Sequence, residues 1–395
     1  MMVPKLRFLG FSEEWDKDFF GNVVTNKSSK YNPLTEKEDF PCLEMDSISQ
    51  EDGRILNVYS AKQQASIKNK FLSGNVLFGK LRPYLKKYIH TSFDGVCSSE
   101  LWVLNGIKVN NKFLYHYVQT NKFIKTANKS SGSKMPRADW GVVSSEIMTF
   151  PKQEEQTKIA NFLSAVDEKI TLLNKQYDLL CQYKKGMMQK IFSQELRFKD
   201  ENEEEFPEWE EMELKEIASK VNTKNRDNSV RTVLTNSATQ GIVSQESYFE
   251  RDIVTEGNLT GYYVVNIGDF VYNPRISSTA PVGPIKMNEL IQGIMSPLYT
   301  VFRFEKGLLK FFQYFFASSV WHDYMKSIAN SGARHDRMNI SGADFFGLPV
   351  PQPVEEEQTK IANFLSAIDD KITAKKTELD KLKIWKQGLL QQMFV

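Results

Sequence analysis

Apolar residues recur at alternating steps of four and three from Ile159 through Leu163, Val166, Ile170, Leu173, Tyr177 and Leu180. The same rhythm returns at Ile361, Leu365, Ile368 and Ile372 and, beyond Lys375, at Leu379 and Leu382. This is the seam of a coiled-coil helix and not the two-residue alternation of a strand. Neither run contains proline, each begins just after one (Pro151, Pro353), and glutamates crowd both first turns, where the helix dipole favours them. Two helices of about 39 residues, roughly 60 Å each, are predicted. An amphipathic helix of that length cannot hide its seam alone, whereas two matching helices in one chain can hide each other's.

The helices begin as near copies. Glu154–Thr171 and Glu356–Thr373 stand 202 positions apart and differ only at Val166/Ile368 and Glu168/Asp370. The match falls away after Thr171. Packing of one helix on the other would constrain both halves alike, so the front must touch something more. The repeated polar positions there, Gln156, Thr157 and Asn161 with Gln358, Thr359 and Asn363, are candidates for docking two copies of one partner. Lys184 and Lys386 interrupt the apolar seam at the same position, either as a register-fixing break or with their ammonium groups turned out to water. Gly186 and Gly388 are also equivalent, which fits a close backbone approach or shared ancestry alone.

Around the helices the pattern changes to short strand-like runs and amphipathic stretches, and it does so twice. Each region opens with Leu-Arg-Phe (Leu6–Phe8; Leu196–Phe198) and a tryptophan (Trp15; Trp209). Each continues with two strand-like runs after glycine (from Gly74 and Gly95; from Gly268 and Gly293), an aromatic helix, and a small polar loop ending in arginine. The fold class is therefore α+β with an internal two-fold repeat. The divisions are 1–152 and 198–352 for the globular domains, with 153–197 and 353–395 for the helical spacers.

Charge refines this picture. The net value of +2 hides a basic first region, in which residues 1–153 hold 22 Lys+Arg against 15 Asp+Glu. The acidic tract Asp200–Glu216 reads as a solvated linker, and the rest of the second domain is mildly basic. Three scattered cysteines and four scattered histidines give no disulfide framework or metal-ligand spacing. No apolar run reaches the roughly 20 residues of a bilayer span, and the N-terminus lacks a signal peptide, so a cytoplasmic location is expected. The charge balance permits a nucleic-acid partner without demanding one; contact with such a partner would come from loops that carry Arg, Lys, Asn and Ser beside the strands. In the first domain these are Lys80, Arg82, Tyr84, Lys86 and Lys87, then Ser131, Lys134 and Arg137. In the second they are Asn273, Arg275, Ser277 and Thr279, then Ser331, Arg334 and Arg337. No glycine-rich cofactor turn or Walker loop is present. Neither Asn-Pro (Asn32-Pro33, Asn273-Pro274) is followed by a second proline, as an amino-methyltransferase motif requires. The nuclease-like Glu213-Leu214-Lys215 has no aspartate partner.

The duplicated EEQTKIANFLSA segment, its proline-rich approach and the Leu-Arg-Phe…Trp openings resemble the specificity subunits of type I restriction-modification systems, over the whole chain. That resemblance implies two target-recognition domains reading unlike halves of a bipartite DNA site. It implies an antiparallel helix pair that spaces them and docks two methyltransferase (modification) subunits, with restriction subunits joining to cleave. S-adenosylmethionine would belong to the methyltransferase subunits, ATP and Mg to the restriction subunits, and no catalytic residue or cofactor to this chain. The competing reading is a coiled-coil scaffold that joins two small protein-binding domains without DNA.

Overall fold

The computed structural model describes residues 3–129, 135–248, 259–329 and 336–395. Contacts group the chain into two compact units, one of residues 1–175 with 376–395 and one of 176–375. Each unit thus holds one globular domain, the front of the helix that follows it and the back of the other helix. The helical spacers are not separate bodies; they are shared between the units.

In the first unit a four-stranded antiparallel sheet runs in the order Val24–Thr25, Leu101–Gly106, Val76–Gly79, Tyr88–His90. A five-stranded sheet contains one parallel pairing, Pro41–Leu43 beside Gly95–Cys97. Asp16–Phe19 pairs with Ile147–Phe150, tying the start of the domain to its end. The second unit repeats the plan. Its four-stranded sheet follows the same order, Ala218–Lys220, Thr300–Phe304, Phe270–Tyr272, Ile285–Met287, and Glu210–Glu213 pairs with Pro349–Gln352. Where the first unit has five strands the second has two antiparallel pairs, the hairpin Leu234–Ser237 with Gly241–Ser244, and Tyr263–Val265 with the more distant Gly293–Met295.

Two expectations are corrected here. The acidic tract is a linker only at its beginning. Phe206 and Trp209 are buried, and Glu210–Glu213 is an edge strand whose glutamates face outward while Met212 turns in against the core. Each aromatic amphipathic stretch is two short helices and not one. Asn111–Tyr117 is followed by Asn121–Ala127, and Leu309–Ala317 by His322–Ser327. The first break is made by Thr120, whose hydroxyl accepts from Phe123 N as an N-cap and restarts the helix.

The long helices span Gln153–Phe192 and Glu355–Met393. Their front seams sink into the cores of their own domains. Ile159, Leu163, Val166, Ile170 and Leu173 share a buried cluster with Phe113 and Leu114, and with Leu379, Leu389 and Met393 of the other helix. Ile361, Leu365 and Ile368 share one with Phe311 and Phe315, and with Met188, Ile191 and Phe192. Ile372 and Leu382 are half-buried beside these clusters, and Tyr177 and Leu180 are also half-buried. In both units the front of one helix meets the back of the other, so the pair is antiparallel. At Gly186 and Gly388 an added Cβ would meet nothing within 4 Å, so close backbone approach does not account for them.

Candidate nucleic-acid interface

The strand Val76–Gly79 runs out into a loop that the chain bends sharply. Arg82 and Lys86 both adopt left-handed backbone conformations (φ 51° and 50°) around a tight turn at Pro83–Leu85. Non-glycine residues reach that region at a cost, and such strain collects where a side chain must be presented in a set direction. The turn is held by the segment after the small polar loop. Arg82 N donates to Pro136 O at 2.7 Å and Ala138 N to Lys80 O at 2.8 Å, with Leu81 bridged to Arg137. The second unit repeats this join. Met338 N donates to Pro274 O at 2.8 Å and Ile276 N to Asp336 O at 3.0 Å, with Arg275 bridged to Arg337. In each unit, therefore, the two stretches singled out in the sequence are stitched into one surface.

The side chains on that surface are not equally available. Arg82 and Tyr84 are exposed and Lys80 half-buried, and none forms an ion pair among the described residues. Lys86 is paired with Glu51 at 2.6 Å, Lys87 donates to Met45 O at 2.5 Å, and Arg137 donates to Glu100 at 3.1 Å. Lys87 thus also braces the loop from within. In the second unit Arg275 and Arg337 flank Asp336, each 3.8 Å from it. Asn273 is also a brace, donating to Asn236 O at 3.0 Å and accepting from Arg275 N. Ser277 accepts from Ala280 N and lies 3.1 Å from the exposed Thr279 hydroxyl, shaping the turn. Ser131, Lys134, Ser331 and Arg334 lie outside the described residues.

The front of each long helix is a seat for its own domain. Glu155 and Glu357 are buried, and each takes both arms of the arginine from a Leu-Arg-Phe opening. Arg7 donates to Glu155 at 2.7 and 2.8 Å, and Arg197 to Glu357 at 2.8 and 2.8 Å. The hydrogen bonds to these carboxylates raise both guanidinium pKa values, against the effect of burial. The next residue of the helix makes a second contact. Gln156 accepts from Asn110 N and donates to Pro151 O, each at 2.9 Å. Gln358 accepts from Leu308 N and donates to Pro353 O, again at 2.9 Å. Asn110 and Leu308 are the N-caps of the first aromatic helix in each domain. Phe8 meets Phe162 edge-on at 5.6 Å, and Phe198 meets Phe364 at 5.5 Å.

Gln156 and Gln358 are thus removed from the docking set, because they are buried and committed to the protein's own backbone. Thr157, Asn161, Thr359 and Asn363 are exposed, though each threonine hydroxyl donates to its own helix at Gln153 O or Glu355 O. The sequence drew attention to Leu-Arg-Phe only as a repeated opening. Its partner glutamate lies 148 or 160 positions away, beyond the reach of any local signal.

The seam lysines turn inward. Lys386 Nζ lies 2.5 Å from Asp167 and donates to Gln119 at 2.6 Å, while Lys184 Nζ lies 2.6 Å from Asp369. Asp369 also accepts from Tyr314 OH at 2.7 Å. In the first unit that neighbour is His116, fully buried, with Nε2 3.3 Å from Ser164 Oγ and Nδ1 3.8 Å from Asp167. Burial and the adjacent Lys386 hold the imidazole pKa well below its ordinary value, and burial raises that of Asp167. Among the described residues no group of three His, Cys, Asp or Glu could hold a metal ion, and no helix is long and apolar enough to cross a membrane.

Each α+β domain thus presents a stitched, cation-bearing loop and sits on the front of a long helix. The chain matches the type I restriction modification DNA specificity domain over residues 13–181 and again over 207–383, and it belongs to that family. It is 27% identical over 321 residues to the type I restriction enzyme MjaVIII specificity subunit of Methanocaldococcus jannaschii, which covers 75% of this chain and 72% of the relative. It is 26% identical over 415 residues to the putative MjaX specificity subunit of the same organism, covering 96% and 92%. Among solved structures it resembles a type I restriction-modification S subunit from M. genitalium (TM-score 0.53, 16% identity, 100% of this chain and 99% of that one). It also resembles a chain from a study of complex assembly and conformational transition in a type I system (TM-score 0.57, 18% identity, 97% and 98%). The chain is accordingly a specificity subunit, non-catalytic, whose role is DNA sequence recognition, and the DNA-free scaffold reading is not favoured.

Proposed function

We propose that this subunit reads a bipartite DNA site, one half with each globular domain, and directs adenine methylation by modification subunits docked on its helices. The observation that carries this is the loop join built twice, at Leu81/Arg137 and at Arg275/Arg337, on otherwise different sequences. The same frame with different side chains is what two unlike half-sites require. Arg82, Tyr84 and Lys80 supply the first reading surface, and Arg275, Thr279 and Arg337 the second.

Two copies of the modification subunit are supported by the outer face of the repeated helix front. Thr157, Asn161, Ala165 and Lys169 recur unchanged as Thr359, Asn363, Ala367 and Lys371 on exposed positions. Internal packing does not demand identity at such positions, whereas docking the same partner twice does. S-adenosylmethionine would be bound by those partners, and ATP and Mg by restriction subunits when they join. Mapping N6-methyladenine in cells with and without this chain tests the proposal. The expected result is a bipartite motif that disappears with the chain; methylation unchanged by its loss would refute it.

A further inference from the structure

Two features of the helix seats do not follow from the need for attachment. The seam residues and the Phe8–Phe162 and Phe198–Phe364 contacts already bury apolar area between each domain and its helix. A buried ion pair adds little to such a contact, because removing charges from water costs about as much as their attraction returns. Yet both units keep one, and in both it is a planar fork, arginine on carboxylate with two parallel hydrogen bonds. That geometry restricts angle as well as distance, which a lysine would not do.

The second feature is that neighbouring residues hold two different parts of the domain. Glu155 takes the N-terminal arm through Arg7, while Gln156 takes the start of the aromatic helix through Asn110 N. Glu357 and Gln358 do the same with Arg197 and Leu308 N. Two directional contacts from adjacent residues fix the tilt of a domain on its helix, where an apolar seam alone would let it rock.

We propose that Arg7–Glu155 and Arg197–Glu357 are positioning pairs, each setting the orientation of its own domain and thereby the fidelity with which that domain reads its own half-site. The inference rests on the reading of the two domains as half-site readers. It explains why Glu155 and Gln156 recur as Glu357 and Gln358 while the domains above them diverge: these residues are the seat, and must present the same acceptors to both.

The test uses the full chain assembled with its modification subunits on a library of sites degenerate in one half or the other. Arg197→Lys keeps the charge and removes the fork. It should raise methylation of sites mismatched in the second domain's half by about tenfold relative to matched sites, leaving the other half as selective as before. Arg7→Lys should relax the other half alone. The exchanged pair Arg7→Glu with Glu155→Arg, whose partners are only each other among the described residues, should recover selectivity that Arg7→Glu loses. Relaxation of both halves together, or full selectivity in both lysine variants, would overturn the proposal. If a lysine variant fails to assemble, Glu155→Gln and Glu357→Gln give the same readout with the arginines intact. A wild-type motif that is not divided into two halves would sink the underlying reading instead, so the two failures are distinguishable.

Discussion

Glu155 and Glu357 occupy the same place in the two repeats but not the same company. Glu357 also accepts from the Trp209 indole at 2.8 Å, whereas the corresponding Trp15 indole nitrogen is buried without a hydrogen-bond partner among the described residues. Glu357→Ala removes the indole's acceptor and the guanidinium's counter-charge, leaving Arg197 its Pro207 O contact, and should destabilise the second unit by about 2–4 kcal/mol, below the fully buried figure because the Arg197 side chain is 24% exposed. Glu155→Ala should cost the first unit less, and denaturant unfolding of the purified chain compares them. Gly186 and Gly388 point the other way. With open space at both, Gly186→Ala and Gly388→Ala should each stabilise by about 0.5–1 kcal/mol, seen as a rise in unfolding midpoint. His116 supplies a pH dependence. Its folded pKa is depressed, so the unfolded chain binds more protons, and stability is lost as pH falls through its ordinary value near 6.5. His90 shifts the same way. His116→Gln should flatten the decline in melting temperature between pH 7.5 and 5.5; an unchanged slope would show that His116 does not drive it.

At the scale of elements, the lysines in the seams distinguish the two helix contacts. The Lys386 side chain is 10% exposed and that of Lys184 22%, and Asp369 keeps Tyr314 as a second donor while one Asp167 oxygen has none among the described residues. Lys386→Met should therefore cost about 3–5 kcal/mol and Lys184→Met distinctly less, measured as separate unfolding transitions. Equal losses would mean that burial is not what sets the value of these pairs. The long helices and the duplicated succession of strand-like runs were legible in the sequence because each leaves a periodic or duplicated trace, whereas the antiparallel partnership was implied only by the family resemblance and the strand order by neither. The short-helix breaks were less so, since the apolar rhythm runs on through Thr120 and only its capping hydroxyl interrupts the helix. The seats were not legible at all. Gln156 looks like any surface glutamine until the chain brings Asn110 N to it, and Arg7 looks unpaired until Glu155 arrives from 148 positions away. The reading loops were half legible: their cations were visible, but not that Lys87 and Asn273 also brace the backbone.

Across the whole molecule, each unit is a domain seated on one helix front and closed by the back of the other helix. Shared helices explain how the two domains can diverge freely above their seats, because the constraints on the frame fall on a few positions of the repeated segment. The central claim is that each domain reads its own half of the DNA site, and exchanging one domain tests it most directly. Residues 198–352 would be replaced with the corresponding domain of another family member, leaving Arg197 and Glu357 of this chain in place, and N6-methyladenine mapped across the genome. One half of the methylated motif should change to that of the donor while the other half stays as it was. A motif altered in both halves, or in neither, would contradict the account.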